Sequence, residues 1–182
     1  MKIHELLKND IRQFGLANQG QSRLDVNEAL DEELRLFVCD GQYGKSLDLI
    51  LSRYLANMQS SKQGAVWVSG FYGSGKSHLL KMLGHLWVDT EVKPEIRARQ
   101  LVAGLPSDVI AHLRELDSHA TRQKVEKFSA MGTLPAGSGD MVFATILSVI
   151  LKAKGLPEEY TADGTPFKAD ELDDGIMLEF GS

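Results

Sequence analysis

The chain has little cysteine, little proline and few aromatic residues: one cysteine and five prolines in 182 residues, with 7% aromatic. A single cysteine excludes an intramolecular disulfide and a cysteine-based metal cluster, which favours a reducing compartment. We expect Cys39 to be a small buried side chain. No apolar run approaches the ~20 residues of a membrane span, and no signal-peptide core follows the first residues. These absences predict a cytoplasmic chain without membrane contact.

Charge and length also bound the class of protein. Twenty Lys and Arg residues face 25 Asp and Glu residues, a formal charge of −5, and 43% of residues are hydrophobic. This composition is typical of a globular protein, and the length suits one domain with a real core. A net negative chain lacks the broad basic surface that tracks a phosphate backbone, which argues against direct nucleic-acid contact by this chain. A local basic patch, or a nucleic-acid partner elsewhere in an assembly, stays open.

One stretch carries a specific chemistry. Residues 70–77, Gly-Phe-Tyr-Gly-Ser-Gly-Lys-Ser, fit the pattern G-x-x-x-x-G-K-[ST] of the phosphate-binding P-loop, and we call them the glycine-rich loop. The motif requires a strand before it and a helix after it. Residues 65–69 are predicted to form that strand, and residues 78–87 an apolar helix. The sequence therefore predicts a site that binds the phosphates of a nucleotide together with Mg²⁺.

Each residue type in the loop has a physical reason. Glycines allow positive φ angles and close approach of the main chain to a polyanion, while the following helix adds the partial charge of its N-terminus. Lys76 would reach the β- and γ-phosphates and is the candidate catalytic residue. Ser77 is the candidate Mg²⁺ ligand. Phe71 and Tyr72 fit packing against the end of a sheet better than contact with nucleotide. The predicted nucleotide-binding residues are Gly70, Phe71, Tyr72, Gly73, Ser74, Gly75, Lys76, Ser77 and His78.

Elsewhere the sequence predicts mainly helices. Residues 34–39 are ambiguous between strand and helix end, and residues 124–131 are the candidate second strand. Residues 161–182 are acidic and aperiodic, which predicts a disordered tail. The predicted parts are a mainly helical segment 1–60, a partial P-loop domain 61–160 and the tail. The predicted helices are 3–8, 46–59 after Ser46 as N-cap, 95–102 after Pro94, 107–116 after Ser107, and 141–154 between Asp140 as N-cap and Gly155 and Pro157.

With these segments in hand, the chain resembles the N-terminal part of the large P-loop ATPases of bacterial phage-exclusion systems, the BrxC/PglY type of the BREX and phage-growth-limitation systems. Residues 67–81 carry most of the resemblance, which extends over about residues 1–160 and includes residues 1–7, 132–134 and 153–160. It implies ATP binding, a role in antiviral defence, and protein partners that include a DNA methyltransferase.

The chain departs from that family in two respects. Family members are far longer, and we find no run of four apolar strand residues ending in the Walker B acid that holds Mg²⁺ and positions water. Residues 143–146 lack a following acid, and residues 176–179 lie in the acidic tail. The expected fold is α/β, an incomplete AAA-like P-loop NTPase sandwich of three layers with an N-terminal helical lead-in, and we expect the chain to be a fragment of a longer protein.

Several weaker candidates have ordinary explanations. Asp117-Ser118-His119 suggests a hydrolase, but sequence neighbours cannot face one another as a triad does, and a helix terminus fits better. His78 and His85 share a helix face but lack further metal ligands. Residues 137–140 are a plain loop and helix cap rather than a second phosphate contact. The sequence does not select an arginine finger among Arg97, Arg99, Arg114 and Arg122.

Three functions stay open. The first is an ATPase module that drives or gates partner subunits through binding or hydrolysis of ATP. The second is an interaction domain that nucleotide regulates without hydrolysis, which the missing Walker B acid favours. The third is a small-molecule kinase, for which we identify no lid arginines and no acceptor site.

Overall fold

The structure, a computed structural model, describes residues 24, 26, 28–58, 60, 65–134 and 142–156. The chain divides into two compact units, Met1–Thr133 and Leu134–Ser182. The described part of the first unit is mainly helical with one small sheet, and that of the second unit holds a single helix. In chain order the elements are α1 (Glu28–Leu36), α2 (Gly41–Asn57), α3 (Lys76–Val88), β1 (Glu91–Lys93), β2 (Ile96–Arg97), α4 (Ala98–Leu101), α5 (Ser107–Gln123) and α6 (Val142–Ala153).

One apolar core joins the helices of the first unit. α2 packs along α5, while α4 contacts α1 and α3. Cys39 is buried in this core, as its residue type predicts. The core places the start of α3, and so the glycine-rich loop, beside the start of α2. Its fully buried members include Leu30, Leu34, Leu47, Leu51, Met82, Leu86, Val109 and Leu113.

The helix predicted at 46–59 begins five residues earlier. α2 starts at Gly41, with Asp40 as its N-cap residue. Ser46 is not a cap, because its hydroxyl donates a hydrogen bond of 2.8 Å to the carbonyl of Gln42, one turn back within the helix. A serine bonded in this way lies in a helix interior. The N-cap prediction for Ser46 is wrong, and the predicted helix is present.

A hairpin stands where Pro94 was predicted to open a helix. β1 and β2 pair antiparallel, and Glu95 between them has a φ of 66°. Pro94 and Glu95 therefore form the tight turn that joins β1 to β2. Only the four residues of α4 are helical in this region.

α5 is longer than predicted, and the residues described directly after it, up to residue 134, form no strand. It runs to Gln123, where Lys124 takes a left-handed conformation with φ 54°. Residues 125–134 belong to no helix or strand. The second strand predicted at 124–131 is therefore not formed in the structure.

Residues 65–69, the strand predicted before the glycine-rich loop, have no strand partner among the described residues. The segment lies on the surface, with Trp67 90% exposed. A strand needs a neighbour to satisfy its backbone donors and acceptors. The described residues contain no parallel sheet, so the three-layer sandwich stays a prediction.

α6 confirms its predicted end. The backbone N–H of Gly155 donates to the carbonyl of Lys152 at 3.0 Å, and that of Leu156 donates to Leu151 at 2.9 Å. Gly155 has a φ of 73°, the left-handed conformation in which glycine commonly closes a helix. Pro157 lies outside the described residues.

Some predictions fall where nothing is described. The helix at 3–8, the cap at Asp140, the loop at 135–139 and the acidic tail at 161–182 all lie outside the described residues. Among the helices that are described, none combines the length and the apolar character needed to cross a bilayer.

Candidate functional site

The glycine-rich loop curls into the N-terminus of α3. Gly73 and Gly75 have φ angles of 77° and 78°, which a side chain would strain. The N–H of Ser74 donates to the carbonyl of Phe71 at 3.2 Å, and the N–H of Leu79 donates to Gly75 at 2.8 Å as the first bond of the helix. The loop therefore forms a tight turn that leads directly into a helix, as the motif predicts.

The side chain of Lys76 folds back onto the first residues of the glycine-rich loop. Its ammonium group donates to the carbonyl of Gly70 at 3.0 Å and to that of Phe71 at 2.8 Å. The hydroxyl of Ser74 lies 3.5 Å from the same nitrogen. These partners are neutral oxygens, which accept more weakly than phosphate oxygens do. The ammonium of Lys76 thus has no carboxylate partner among the described residues.

Close contacts explain two of the glycines. A Cβ on Gly70 would lie 2.9 Å from the hydroxyl of Ser74 inside the same loop. A Cβ on Gly75 would lie 2.1 Å from the hydroxyl of Tyr43, a residue of α2. Gly73 faces open space, so only its φ angle requires glycine there.

Ser77 and His78 begin α3 with different surroundings. Ser77 is exposed, so its hydroxyl is open to a ligand, and a hydroxyl oxygen beside phosphate suits Mg²⁺. His78 is half-buried, and its ring meets the ring of Phe37 edge-on at 5.6 Å. Burial lowers the pKa of His78, and the charge of Lys81 lowers it further while that of Glu33 raises it. His78 therefore faces the core, although its backbone belongs to the first turn of α3.

The two aromatic residues of the loop do not pack as predicted. Phe71 is 91% exposed and Tyr72 94% exposed. The expectation that they pack against the end of a sheet is wrong in this structure, because the described residues place no sheet beside the loop.

The opposite end of α3 is held by cations. Arg99 donates to the carbonyls of Leu86 at 2.7 Å and Trp87 at 3.2 Å. Lys127 donates to Trp87 at 2.9 Å, and both cations bind the carboxylate of Asp117. Positive groups at the C-terminus of a helix stabilise its macrodipole. The guanidinium of Arg99 is thus bound to the end of α3 and to Asp117 in this structure.

The other three arginine candidates are all exposed and differ in their contacts. Arg97 donates to the carbonyl of Asp89 at 3.1 Å, again at the end of α3. Arg114 and Arg122 lie on α5. Exposure therefore does not select one of these three as a finger.

The Asp117-Ser118-His119 sequence lies inside α5, so its prediction as a helix terminus is wrong. Ser118 donates to the carbonyl of Arg114 at 2.9 Å within the helix, while Asp117 binds Arg99 and Lys127. Successive helix positions face different directions, and these side chains do not form a triad.

His85, the second histidine of α3, is a core residue. It is 1% exposed, with Nδ1 3.0 Å from the hydroxyl of Thr90 and no hydrogen-bond partner for Nε2. Burial, and then the charge of Lys81, lower its pKa to about 4, against a smaller opposing effect of Glu33. In the part of the chain that the structure describes, no three His, Cys, Asp or Glu residues form a potential metal site.

Two contacts near the loop were not predicted from the sequence. The hydroxyl of Tyr43 donates to the carbonyl of Ser74 at 2.8 Å. Lys81 of α3 pairs with Glu33 of α1 at 2.5 Å. Both join residues more than 30 positions apart, and no local motif marks either pair.

Comparison with known proteins leaves the chain without a match. No family model matches it, and neither a curated protein nor a solved structure is significantly similar to it. The resemblance to phage-exclusion ATPases therefore stays a prediction.

Proposed function

We propose that the chain binds a nucleoside triphosphate together with Mg²⁺ at the glycine-rich loop. One observation carries the proposal. The ammonium of Lys76 donates to the carbonyls of Gly70 and Phe71, and the turn between them and α3 contains two glycines with left-handed backbone, Gly73 and Gly75. Backbone N–H groups at such a terminus have no partner within the helix. Gly75 at the N-cap has no side chain to cap them, so they are available to a polyanion.

The residues divide the work by their chemistry. The N–H groups of Gly73, Gly75, Lys76 and Ser77 would bind phosphate oxygens, since that of Ser74 donates to Phe71. The ammonium of Lys76 would exchange its carbonyl partners for the stronger phosphate acceptors. Ser77 would hold Mg²⁺, whose charge offsets that of the phosphates when it is bound. Phe71 and Tyr72 contribute backbone, since their side chains point into solvent.

A specific observation favours binding without turnover by these residues. Among the described residues no carboxylate is ion-paired or hydrogen-bonded to Lys76 or Ser77. Glu33, which lies beside the first turns of α3, is committed to Lys81. Hydrolysis needs a group that positions and activates water. We therefore propose nucleotide-regulated interaction as the second candidate function, with hydrolysis requiring an acid from elsewhere.

The biological setting rests on the resemblance alone. We extend the proposal to ATP as the nucleotide, to the cytoplasm as the location, and to a role in phage exclusion alongside a methyltransferase and other proteins. Residues 67–81, which carry the resemblance, include the whole loop and the first turns of α3.

Thermal unfolding with matched ligands tests the binding proposal. At a Mg·ATP concentration 100-fold above Kd, we expect the Tm to rise by roughly 5–10 °C. AMP, which keeps the base and lacks the β- and γ-phosphates, is expected to shift it little. Lys76→Ala should abolish the ATP shift, whereas Arg122→Ala, which removes an exposed cation on α5, should keep it. Equal shifts with ATP and AMP would contradict a phosphate site.

Phosphate release separates the two candidates. Binding without release of phosphate supports a regulated interaction domain. Release that disappears in Lys76→Ala supports an ATPase, and would require an acid outside the described residues.

A further inference from the structure

We propose that Tyr43 is a positioning residue that locks the glycine-rich loop to α2, so that nucleotide occupancy and the first turn of α2 are coupled. The nucleotide-dependent part of this inference rests on the function proposed above. Its basis is a single long-range contact, in which the Tyr43 hydroxyl donates to the Ser74 carbonyl at 2.8 Å.

The geometry of the peptide group makes this contact important. The structure describes no cis peptide bond, so the Ser74 carbonyl and the Gly75 N–H point in opposite directions from one plane. A hydroxyl that holds the carbonyl therefore also orients the N–H. That N–H belongs to the group that would meet phosphate. Tyr43 would thus orient a phosphate-binding donor without touching the nucleotide.

Tyr43 also fills the space beside Gly75. A Cβ on Gly75 would lie 2.1 Å from the Tyr43 hydroxyl and 3.2 Å from the ring carbon that bears it. Gly73 has nearly the same φ angle but open space around it. The tyrosine therefore contacts one side of the turn into α3 and leaves the outer side free for a ligand.

Tyr43 is itself held by its neighbours. Its ring meets Phe37 edge-on at 6.1 Å, and Phe37 also contacts His78 in the first turn of α3. The next residue, Gly44, is buried, and a Cβ there would lie 3.1 Å from the ring of Pro106 at the start of α5. The ring contact with Phe37 and the buried backbone at Gly44 therefore restrict Tyr43. A restricted side chain transmits displacement, whereas a mobile one would absorb it.

The coupling is reciprocal by thermodynamic necessity. If Tyr43 favours the loop conformation that binds nucleotide, bound nucleotide must favour the Tyr43–Ser74 contact to the same degree. Bound Mg·ATP is then expected to protect the amides of residues 41–47, in the first turns of α2, as well as those of the loop.

Hydrogen exchange of the whole chain, with and without Mg·ATP, tests the inference. Without nucleotide, Tyr43→Phe should raise the exchange of residues 73–77 several-fold, with little change in the core helices. Its Kd for Mg·ATP should rise by about 2- to 12-fold, the range expected for one neutral hydrogen bond. Protection of residues 41–47 by Mg·ATP should be lost. Tyr54→Phe is the matched control, because Tyr54 lies on the same helix and packs on Trp87.

The outcomes separate this inference from the proposed function. Faster loop exchange in Tyr43→Phe supports the positioning role even if the wild-type chain binds no nucleotide, in which case the proposed function fails alone. Unchanged loop exchange in Tyr43→Phe overturns the positioning role, whatever the affinity. A uniform rise in exchange throughout the chain also overturns it, since this would show general destabilisation.

Discussion

Arg99 and Asp117 form a two-point ion pair between α4 and α5, with nitrogen–oxygen distances of 2.5 and 3.1 Å. Burial raises the pKa of Asp117, but the hydrogen bonds from Arg99 and Lys127 outweigh it and lower the pKa below its usual value. Because Arg99 also binds the last carbonyls of α3, this pair ties three helices together at the end of α3 opposite the glycine-rich loop.

Removal of the Asp117 carboxylate should weaken this connection between α3, α4 and α5. We expect Asp117→Ala to lower the free energy of unfolding by about 1–3 kcal/mol, because it leaves Arg99 and Lys127 without their anion. Glu115→Ala, at an exposed position of the same helix, should change it by less than about 0.5 kcal/mol. Urea unfolding of both variants measures the difference. Equal free energies of unfolding would contradict the role of Asp117 in connecting the three helices.

The Lys81–Glu33 pair should matter more than the exposed pair on α1. The Lys81 side chain is nearly buried, whereas Arg35 in the Arg35–Asp31 pair is 55% exposed. Lys81→Met keeps the apolar stem and strands a partly buried carboxylate, so we expect a loss of about 1–3 kcal/mol. Arg35→Met should cost less than about 1 kcal/mol.

Adding Glu33→Gln to Lys81→Met supplies the check on this explanation. The double variant removes the stranded charge and should recover part of the stability in urea unfolding. No recovery would mean that the cost arises from packing and not from the unpaired carboxylate.

His85 should make the fold sensitive to acid. Its pKa is about 4 in the fold, below its ordinary 6.5, so the unfolded chain binds more protons between these values. Stability therefore rises with pH from about 4 to about 6.5, by roughly 3 kcal/mol. His78, whose pKa is also lowered, adds in the same direction.

A variant isolates the contribution of His85. His85→Asn cannot take up that proton, so urea midpoints measured from pH 4.5 to 7 should show a flatter profile than the wild type. Asp117 does not disturb this window, because its pKa is lowered and its effect appears at lower pH. An unchanged slope would contradict the burial of a neutral His85.

Gly73 and Gly75 should respond unequally to the same substitution. Each Ala variant has to adopt a left-handed conformation at a cost of about 1–2 kcal/mol. Gly75→Ala also meets Tyr43, so it should lose more stability than Gly73→Ala. In a Tyr43→Ala background the excess should disappear, which a double-mutant cycle measures by thermal unfolding. A constant excess would place its cause elsewhere.

Trp67 reports on the unpaired segment before the loop. At 90% exposure its fluorescence should be quenched by acrylamide almost as freely as in a peptide, while Trp87 packs on Tyr54 and should be shielded. Trp87→Phe and Trp67→Phe isolate the two signals. A shielded Trp67 would contradict the exposed segment and would instead support the predicted sandwich, in which this strand is covered.

How much could be predicted depended on how local each feature is. The turn at residues 73–75 and the end of α6 at Gly155 were predicted correctly, because positive φ angles leave a glycine signal in the sequence. Ser46 was misplaced because a serine suits a cap and also bonds one turn back, and both look alike in sequence. The segment 65–69 has strand composition, but a strand exists only where a partner is present.

The long-range contacts could not be predicted at all. Tyr43 meets Ser74, and Arg99 meets Asp117, through the packing of helices that are distant in sequence. Neither tyrosine nor arginine in a helix signals its partner, so only the fold separates a structural arginine from a candidate finger.

Direct titration of Mg·ATP into the purified chain, followed by isothermal calorimetry, tests the central claim most directly. We predict saturable binding at one site per chain. Lys76→Ala should abolish this binding or weaken it by about tenfold or more, because it removes charge-assisted hydrogen bonds to phosphate that are worth about 1.5–3 kcal/mol. Absence of binding to the folded wild-type chain, or equal affinity in Lys76→Ala, would contradict the account.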